Sequence, residues 1–212
     1  PDPDYNETDG TSILTITVSD EGQTGLGELV PVVETISITV DAVNDPPVIT
    51  LANEITIDED TTITFMDNVD AEDTTISDLI NISDVDTHEH TGNLSIELEV
   101  SNGSLTAPNL GDQVNKVTGD GIDDILLSLT GTPSEVTAAL AGLIYTPNEH
   151  SNGTDTLTIT ANDFGNQGGD DSPAEVSLVL TINVQAINDQ PLLILPGTQI
   201  VNEDVEITFS VD

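Results

Sequence analysis

Residues Asn6 to Asp20 read N-E-T-D-G-T-S-I-L-T-I-T-V-S-D, and residues Asn148 to Asp163 read N-E-H-S-N-G-T-D-T-L-T-I-T-A-N-D, the same stretch with one residue inserted. Gly10 and Gly153 stand 143 positions apart, as do Asp20 and Asp163; Asn44-Asp45 and Asn188-Asp189 stand 144 apart. The same offset carries Asp58-Glu59-Asp60 onto Asn202-Glu203-Asp204 and Ile63-Thr64-Phe65 onto Ile207-Thr208-Phe209. Four blocks in one register define a unit of about 144 residues, so the chain must fold as pieces of a tandem array. The expected division is the C-terminal part of one unit over 1–45, a complete unit over 46–189 and the first strands of a third over 190–212. A start at Pro1 instead of Met reads as an excised piece of something longer.

Within the unit, alternation of β-branched and polar residues predicts strands over Ile13 to Val18, Thr35 to Val40, Thr61 to Phe65, Leu94 to Val100, Asp124 to Leu129, Thr156 to Ala161 and Val176 to Val184. Ser101-Asn102-Gly103-Ser104 carries an Asn-Gly pair between two such runs and reads as a hairpin. One segment has helical punctuation instead. Thr132 is an N-cap, Pro133 a first helical residue and Glu135 the third residue of a capping box, followed by Val136, Ala139 and Leu140 on one face and Gly142 as a stop. Many short strands and one short surface helix predict an all-β Greek-key sandwich.

The unit has to hold together almost without cations of its own. The chain has 40 Asp and Glu against one Lys, Lys116, and no Arg, a formal net charge of −39. Phosphate backbones and anionic lipid surfaces are bound by clustered Lys and Arg, so nucleic acid and membrane surface are excluded as partners. No apolar run is long enough to span a bilayer, and no basic segment precedes an apolar one, so neither membrane insertion nor a signal peptide is expected. Cysteine is absent, which removes disulfides, thiolate nucleophiles and thiolate metal sites.

The acidic residues gather at particular places. Asp41 to Pro47 and Gln185 to Pro191 lie at the unit junctions, where proline stiffens the backbone. Asp58-Glu59-Asp60, Asp84-Val85-Asp86 and Asn162-Asp163-Phe164-Gly165 lie after or between strands. Alternate turns of a sandwich share an end, so these clusters can converge at its poles. Two carboxylates about 4 Å apart repel by roughly 4 kcal/mol at an effective dielectric near 20, and several together would splay apart without a cation. Ca²⁺ takes 6 to 8 oxygen ligands in flexible geometry and suits sets of Asp, Asn and Glu better than Mg²⁺ does. For any single Asp, the alternative of a solvated loop residue in a secreted, salt-adapted protein stays open.

The succession Ile57-Asp58-Glu59-Asp60, Asp84-Val85-Asp86 with Gly92-Asn93 behind it, Ala161-Asn162-Asp163-Phe164-Gly165 and Ile187-Asn188-Asp189-Gln190-Pro191 resembles the cadherin pattern x-E-N, D-x-D, A-x-D-x-G and D-x-N-D-N-P. It is most similar to the cadherin-like tandem repeats of large bacterial surface adhesins, many of them RTX adhesins exported by type I secretion. The most specific motif is Ala42 to Pro47, A-V-N-D-P-P, backed by Ile82 to Asp86. The resemblance implies a sandwich of cadherin/immunoglobulin type, an extracellular location and Ca²⁺ shared between neighbouring repeats. Carried over, the first junction would use Asn44, Asp45, Asp84, Asp86 and Asp163, and the second Glu59, Asn188 and Asp189. The D-x-E ligand motif of the family falls at Asn148-Glu149-His150, where Glu149 alone keeps a carboxylate, and Gln185 replaces the acid that Asp41 supplies in the first linker.

Other constellations are weaker. His88-Glu89-His90 with His150 could hold a transition metal, though H-x-H on a polar loop is more often solvated. Asp120 to Asp124 reads as a tight turn rather than an EF-hand loop. Gly168 to Asp171 is a lone half of a nonapeptide repeat. A glycosidase acid–base pair lacks a sugar-stacking platform, aromatics being 2% of the chain. Asn6, Asn81, Asn93, Asn102 and Asn152 open glycosylation sequons of the kind an Asn-, Ser- and Thr-rich chain makes by chance. The expected function is thus non-enzymatic: a calcium-stiffened extender in a long extracellular adhesin, serving cell adhesion or biofilm attachment. Alternatives are a module of the same fold that binds surface polysaccharide or a second copy of itself, and a filament subunit whose incomplete ends complement neighbouring chains.

Overall fold

Successive side chains of a strand point to opposite faces, so the alternating runs sort into an inner and an outer set before any tertiary contact is considered. The computed structural model describes residues 12–19, 31–41, 43–66, 76–77, 80–88, 92–165, 172–191 and 197–208. In chain order the strands are β1 (Ser12–Val18), β2 (Val32–Ile38), β3 (Val48–Thr50), β4 (Glu54–Asp58), β5 (Ile63–Phe65), β6 (Ile76–Ser77), β7 (Asn81–Ser83), β8 (Leu94–Val100), β9 (Ser104–Thr106), β10 (Asn115–Thr118) and β11 (Leu126–Gly131). Helix α1 (Pro133–Leu140) follows, then β12 (Leu143–Thr146), β13 (Gly153–Asn162) and β14 (Glu175–Gln185).

The order β10-β11-β8-β13-β14-β4 makes a six-stranded sheet and β6-β5-β12-β9 a four-stranded one, while β3 pairs with β7 and β1 with β2. Pairing is antiparallel except for β14 with β4 and β5 with β6, which are parallel. The large sheet contributes Leu94, Ile96 and Leu98 from β8, Leu157, Ile159 and Ala161 from β13, and Leu180 and Ile182 from β14. These meet Phe65, Leu105, Leu143 and Tyr145 from the small sheet in one buried cluster whose members all lie between Ile57 and Val184. The fold is the all-β sandwich that the alternation predicts. The helix is also where its punctuation placed it. Thr132 and Glu135 form a reciprocal capping box, and Val136, Ala139 and Leu140 are buried.

The expected hairpin at Ser101 to Ser104 is not one. Strand β8 belongs to the six-stranded sheet and β9 to the four-stranded sheet, so the Asn-Gly turn carries the chain between layers instead of reversing it within one. Gly103 has φ +79°, but Asn102 is not in the left-handed region, whereas a type I′ hairpin needs both residues there. A Cβ on Gly103 would come within 2.4 Å of the Thr146 carbonyl oxygen, so the glycine serves close approach to β12.

One buried carboxylate joins the two layers. Asp155 on β13 accepts hydrogen bonds from the Tyr145 hydroxyl of β12 at 2.5 Å, from the Ser101 hydroxyl, and from the backbone N–H groups of Asn102 at 2.8 Å and Thr156 at 2.6 Å. Burial, reinforced by the bond to Asp155, pushes the Tyr145 hydroxyl well above its usual pKa, which keeps it a donor.

The matching sequence stretches pair in matching register. Leu14 faces Ile36 as Leu157 faces Leu180, and Ser12 faces Ile38 as Asp155 faces Ile182, each pair related by the sequence offsets. The surroundings differ: Leu14, Ile16, Ile36 and Ile38 are about half exposed (45% to 50%), whereas Leu157, Ile159, Leu180 and Ile182 are fully buried. Residues 197–208, which follow the second linker, form no strand. Asp20, Ala42, Phe209 and the Gly168 to Asp171 motif lie outside the described residues.

Removing the carboxylate of Asp155 takes the acceptor from four donors, of which the Tyr145 hydroxyl is fully buried and the Thr156 N–H keeps the Ser101 hydroxyl. Asp155→Ala should therefore lower unfolding free energy by about 3 kcal/mol or more, against about 1 kcal/mol for Tyr145→Phe, as read from urea melts. Equal losses would show that the carboxylate does not join the layers.

Candidate metal centre

Strand direction decides which acidic turns meet. Strands β3 and β7 are antiparallel, with Val48 opposite Ser83, so the residues just before β3 and just after β7 emerge at one end. Those residues are Asn44 and Asp45 on one side and Asp84 and Asp86 on the other. Strand β13 ends at Asn162 at the same pole, adding Asp163. The five residues expected at the first junction, from three stretches remote in sequence, are thus brought together.

Their contacts are specific. The Asn44 side-chain amide donates to Asp163 Oδ2 at 2.8 Å, and the Asp45 backbone N–H donates to Asp86 Oδ2 at 2.6 Å. Asp163 Oδ1 accepts from the N–H groups of Gly165 and Ala174, both at 2.8 Å. Asp84 Oδ1 accepts from the Asp86 N–H at 2.9 Å, but Asp84 Oδ2 is buried without a hydrogen-bond partner. Asp84, Asp86 and Asp163 are 4%, 6% and 0% exposed. Burial, followed by the charges of Asp86, Asp163 and Asp45, pushes the Asp84 carboxyl above the ordinary carboxylate range, against the pull of the Asp86 N–H. The donor set is all oxygen, apart from the Asn44 amide nitrogen now turned to Asp163. A hard, oxygen-seeking cation suits it.

The second pole arises from a parallel pairing. Strands β4 and β14 run side by side, with Asp58 opposite Gln185, so the turn after β4 and the linker after β14 leave together. Glu59 is buried here and holds the linker: its N–H donates to the Gln185 carbonyl at 2.8 Å, and its Oε1 accepts from the Ile187 N–H at 2.7 Å. Its Oε2 accepts from the Asn152 side chain at 3.3 Å. Asn188 donates to the carbonyl of Asp189, and Glu149 Oε1 lies 3.5 Å from His150 Nε2. Asp189 meets His150 and Asp60 instead of Glu59. Asp60 is the residue that sequence reading left out at this pole, although it ends the Asp58 to Asp60 run, and His150, grouped by sequence with His88-Glu89-His90, meets Asp60 and Asp189.

The Asp120 to Asp124 candidate behaves as an ordinary loop. Asp124 Oδ2 accepts from the N–H groups of Asp120 and Gly121, and Asp120 Oδ1 from that of Ile122, so these carboxylates build the expected tight turn. Glu89 and His90 lie outside the described residues. Among the described residues, no helix is long and apolar enough to cross a membrane.

No family model matches the chain, and no curated protein matches it. Among solved structures, a cohesin module from a family 33 glycoside hydrolase of Clostridium perfringens is similar at 11% identity and a TM-score of 0.29, over 68% of this chain and 100% of that one. A second likeness is to a chain described as manganese lipoxygenase of Gaeumannomyces graminis and partial zonadhesin of Komagataella pastoris. It has 13% identity and a TM-score of 0.26, over 82% of this chain and 55% of that one. Likenesses this loose carry no argument about function.

The unpartnered oxygen of Asp84 gives a test with opposite signs. Asp84→Asn keeps the Oδ1 acceptor and removes a buried charge, so it should stabilise the protein by about 1–3 kcal/mol in chelator. The same variant should lose any stabilisation that a divalent cation confers on the parent chain. Destabilisation in chelator, measured by urea melts, would show that Asp84 is satisfied without a cation.

Proposed function

We propose that this chain is a calcium-stiffened extender segment of a long extracellular bacterial adhesin, serving cell adhesion or biofilm attachment. One observation carries the reading: Asp84 presents a buried, unpartnered carboxylate oxygen among Asp45, Asp86 and Asp163, at the pole where the interunit linker enters. A protein with a single lysine cannot neutralise that group from within. Asp84, Asp86 and Asp163, with Asp45 and the side-chain oxygen of Asn44, would hold Ca²⁺ after drawing together, since no three of these carboxylates have oxygens all within 4.8 Å of one another. When bound, the ion supplies the positive charge and the oxygen coordination that turn mutual repulsion into attachment.

The chain's own residues do the positioning. Antiparallel pairing of β3 with β7 sets the linker against Asp86, and the Asn44 amide fixes it to Asp163. Prolines 46 and 47 limit the backbone freedom that remains. A linker anchored in this way makes the pole a joint between neighbouring repeats rather than a pocket for a diffusible substrate.

Calcium that binds only the native state adds RT ln(1 + [L]/Kd), about 2.7 kcal/mol per site at 100 times Kd. Millimolar Ca²⁺ should raise the melting midpoint of the full chain by several degrees, and chelator should reverse it. Asp84→Ala, Asp86→Ala and Asp163→Ala should each abolish the same binding event in calorimetry. Asp123→Ala, in the exposed turn beside Thr106, should leave it unchanged. A midpoint indifferent to calcium, or equal weakening by Asp123→Ala and Asp84→Ala, would overturn the reading.

A further inference from the structure

The second pole holds a donor set of a different kind. Among the described residues, Asp60, His150 and Asp189 are the one group of three whose potential ligand atoms lie within 4.8 Å of one another. They come from three elements: the turn after β4, the turn after β12 and the linker after β14. His150 Nδ1 is 3.3 Å from Asp60 Oδ2 and 3.3 Å from Asp189 Oδ2. One ring nitrogen carries at most one hydrogen, so it cannot point a proton along both lines at once. A tetrahedral cation with bonds of about 2.0–2.1 Å to nitrogen and oxygen has ligand-to-ligand edges of about 3.3 Å, the spacing of both edges from Nδ1, while the third edge, between Asp60 and Asp189, lies within 4.8 Å.

Two further contacts fit the same purpose. The other ring nitrogen, Nε2, lies 3.5 Å from Glu149 Oε1, from where a small turn of this exposed side chain would let the carboxylate accept from a metal-bound imidazole. The second oxygen of Asp60 accepts the backbone N–H of His150 at 2.9 Å, which fixes how the carboxylate faces the ring. An imidazole nitrogen is a poor ligand for Ca²⁺ and a good one for borderline divalent metals.

The geometry points to a site for a Zn²⁺-like divalent cation at this pole, with His150 Nδ1, Asp60 and Asp189 as ligands and Glu149 as the residue that positions the ring. It goes beyond the calcium reading of the first pole, from which it shares no residue. A bound metal would tie the outgoing linker to two loops of the complete unit. Water is available for a fourth position, since His150, Asp60 and Asp189 are 60%, 38% and 55% exposed at their side chains.

Titration of the full chain with ZnCl₂, by calorimetry and by NMR of the three histidine rings, tests this. One site of micromolar affinity is expected, with the largest shifts on the His150 ring and with binding retained in millimolar Ca²⁺. His150→Asn and Asp60→Asn, which keep side chains tolerated at the left-handed φ of 54° and 60°, should each weaken it at least tenfold while circular dichroism stays unchanged. Glu149→Gln should weaken it less than either, and His88→Gln with His90→Gln should leave it intact. Undiminished binding in His150→Asn, loss in the His88/His90 variant, displacement by millimolar Ca²⁺, or no site tighter than millimolar would each overturn the assignment. Loss of calcium binding at Asp84 would leave this result untouched, so the two poles fail separately.

Discussion

Repulsion between carboxylates that folding itself brings together is the constraint on which this structure turns. Asp45, Asp84, Asp86 and Asp163 are scattered over about 120 residues of an extended chain, and strand pairing delivers them to one end of the sandwich. Backbone N–H groups absorb part of the cost. Asp163 takes two of them, Asp84 one and Asp86 one, so the three buried carboxylates each have an oriented partner dipole. What those donors leave over is concentrated on one atom, Asp84 Oδ2. The same problem has another solution in the interior, where Asp155 has a full complement of donors and stabilises the junction of the two layers. Buried acid is thus structural where it is satisfied and a candidate for ligation where it is not.

The two poles follow from two strand directions. At one, an antiparallel pair gathers the residues flanking it; at the other, a parallel pair lets two strands finish side by side. The linkers that leave them are related by the repeat, yet their partners are not. Asn44 and Asp45 meet carboxylates, whereas Asn188 and Asp189 meet a carbonyl and an imidazole. The same Asn-Asp pair therefore enters two different electrostatic settings within one chain.

Much of this was legible from residue order. Alternation placed β8, β13 and β14 to within a few residues, and the Thr132 to Glu135 punctuation fixed the helix, because both signals are local. The residues of the first pole were legible through repeat spacing and family resemblance. Sheet assignment was not. Asn102-Gly103 looks the same whether the chain reverses within a sheet or crosses to the facing one, and only packing against Thr146 decides it. Nor could the sequence show that the turn after β4 would place Asp60 against His150, since that depends on a parallel pairing between segments about 130 residues apart. Short strands such as β3 and β7 carry too few residues for a period to register.

For the extender proposed above, the parallel pairing of β4 with β14 bears on how a unit would carry load. The incoming linker leads through β3 into the start of β4, and the outgoing linker leaves from the end of β14. Tension along the array would draw β4 toward one pole and β14 toward the other, along the direction of both strands. Five residue pairs, from Glu54 with Thr181 to Asp58 with Gln185, would then have to slide past one another together. An antiparallel pair loaded from one end would open a residue at a time. The strand direction that assembles the second pole therefore also places the terminal strands in shear, so the backbone ladder resists extension before any side chain or ion is counted.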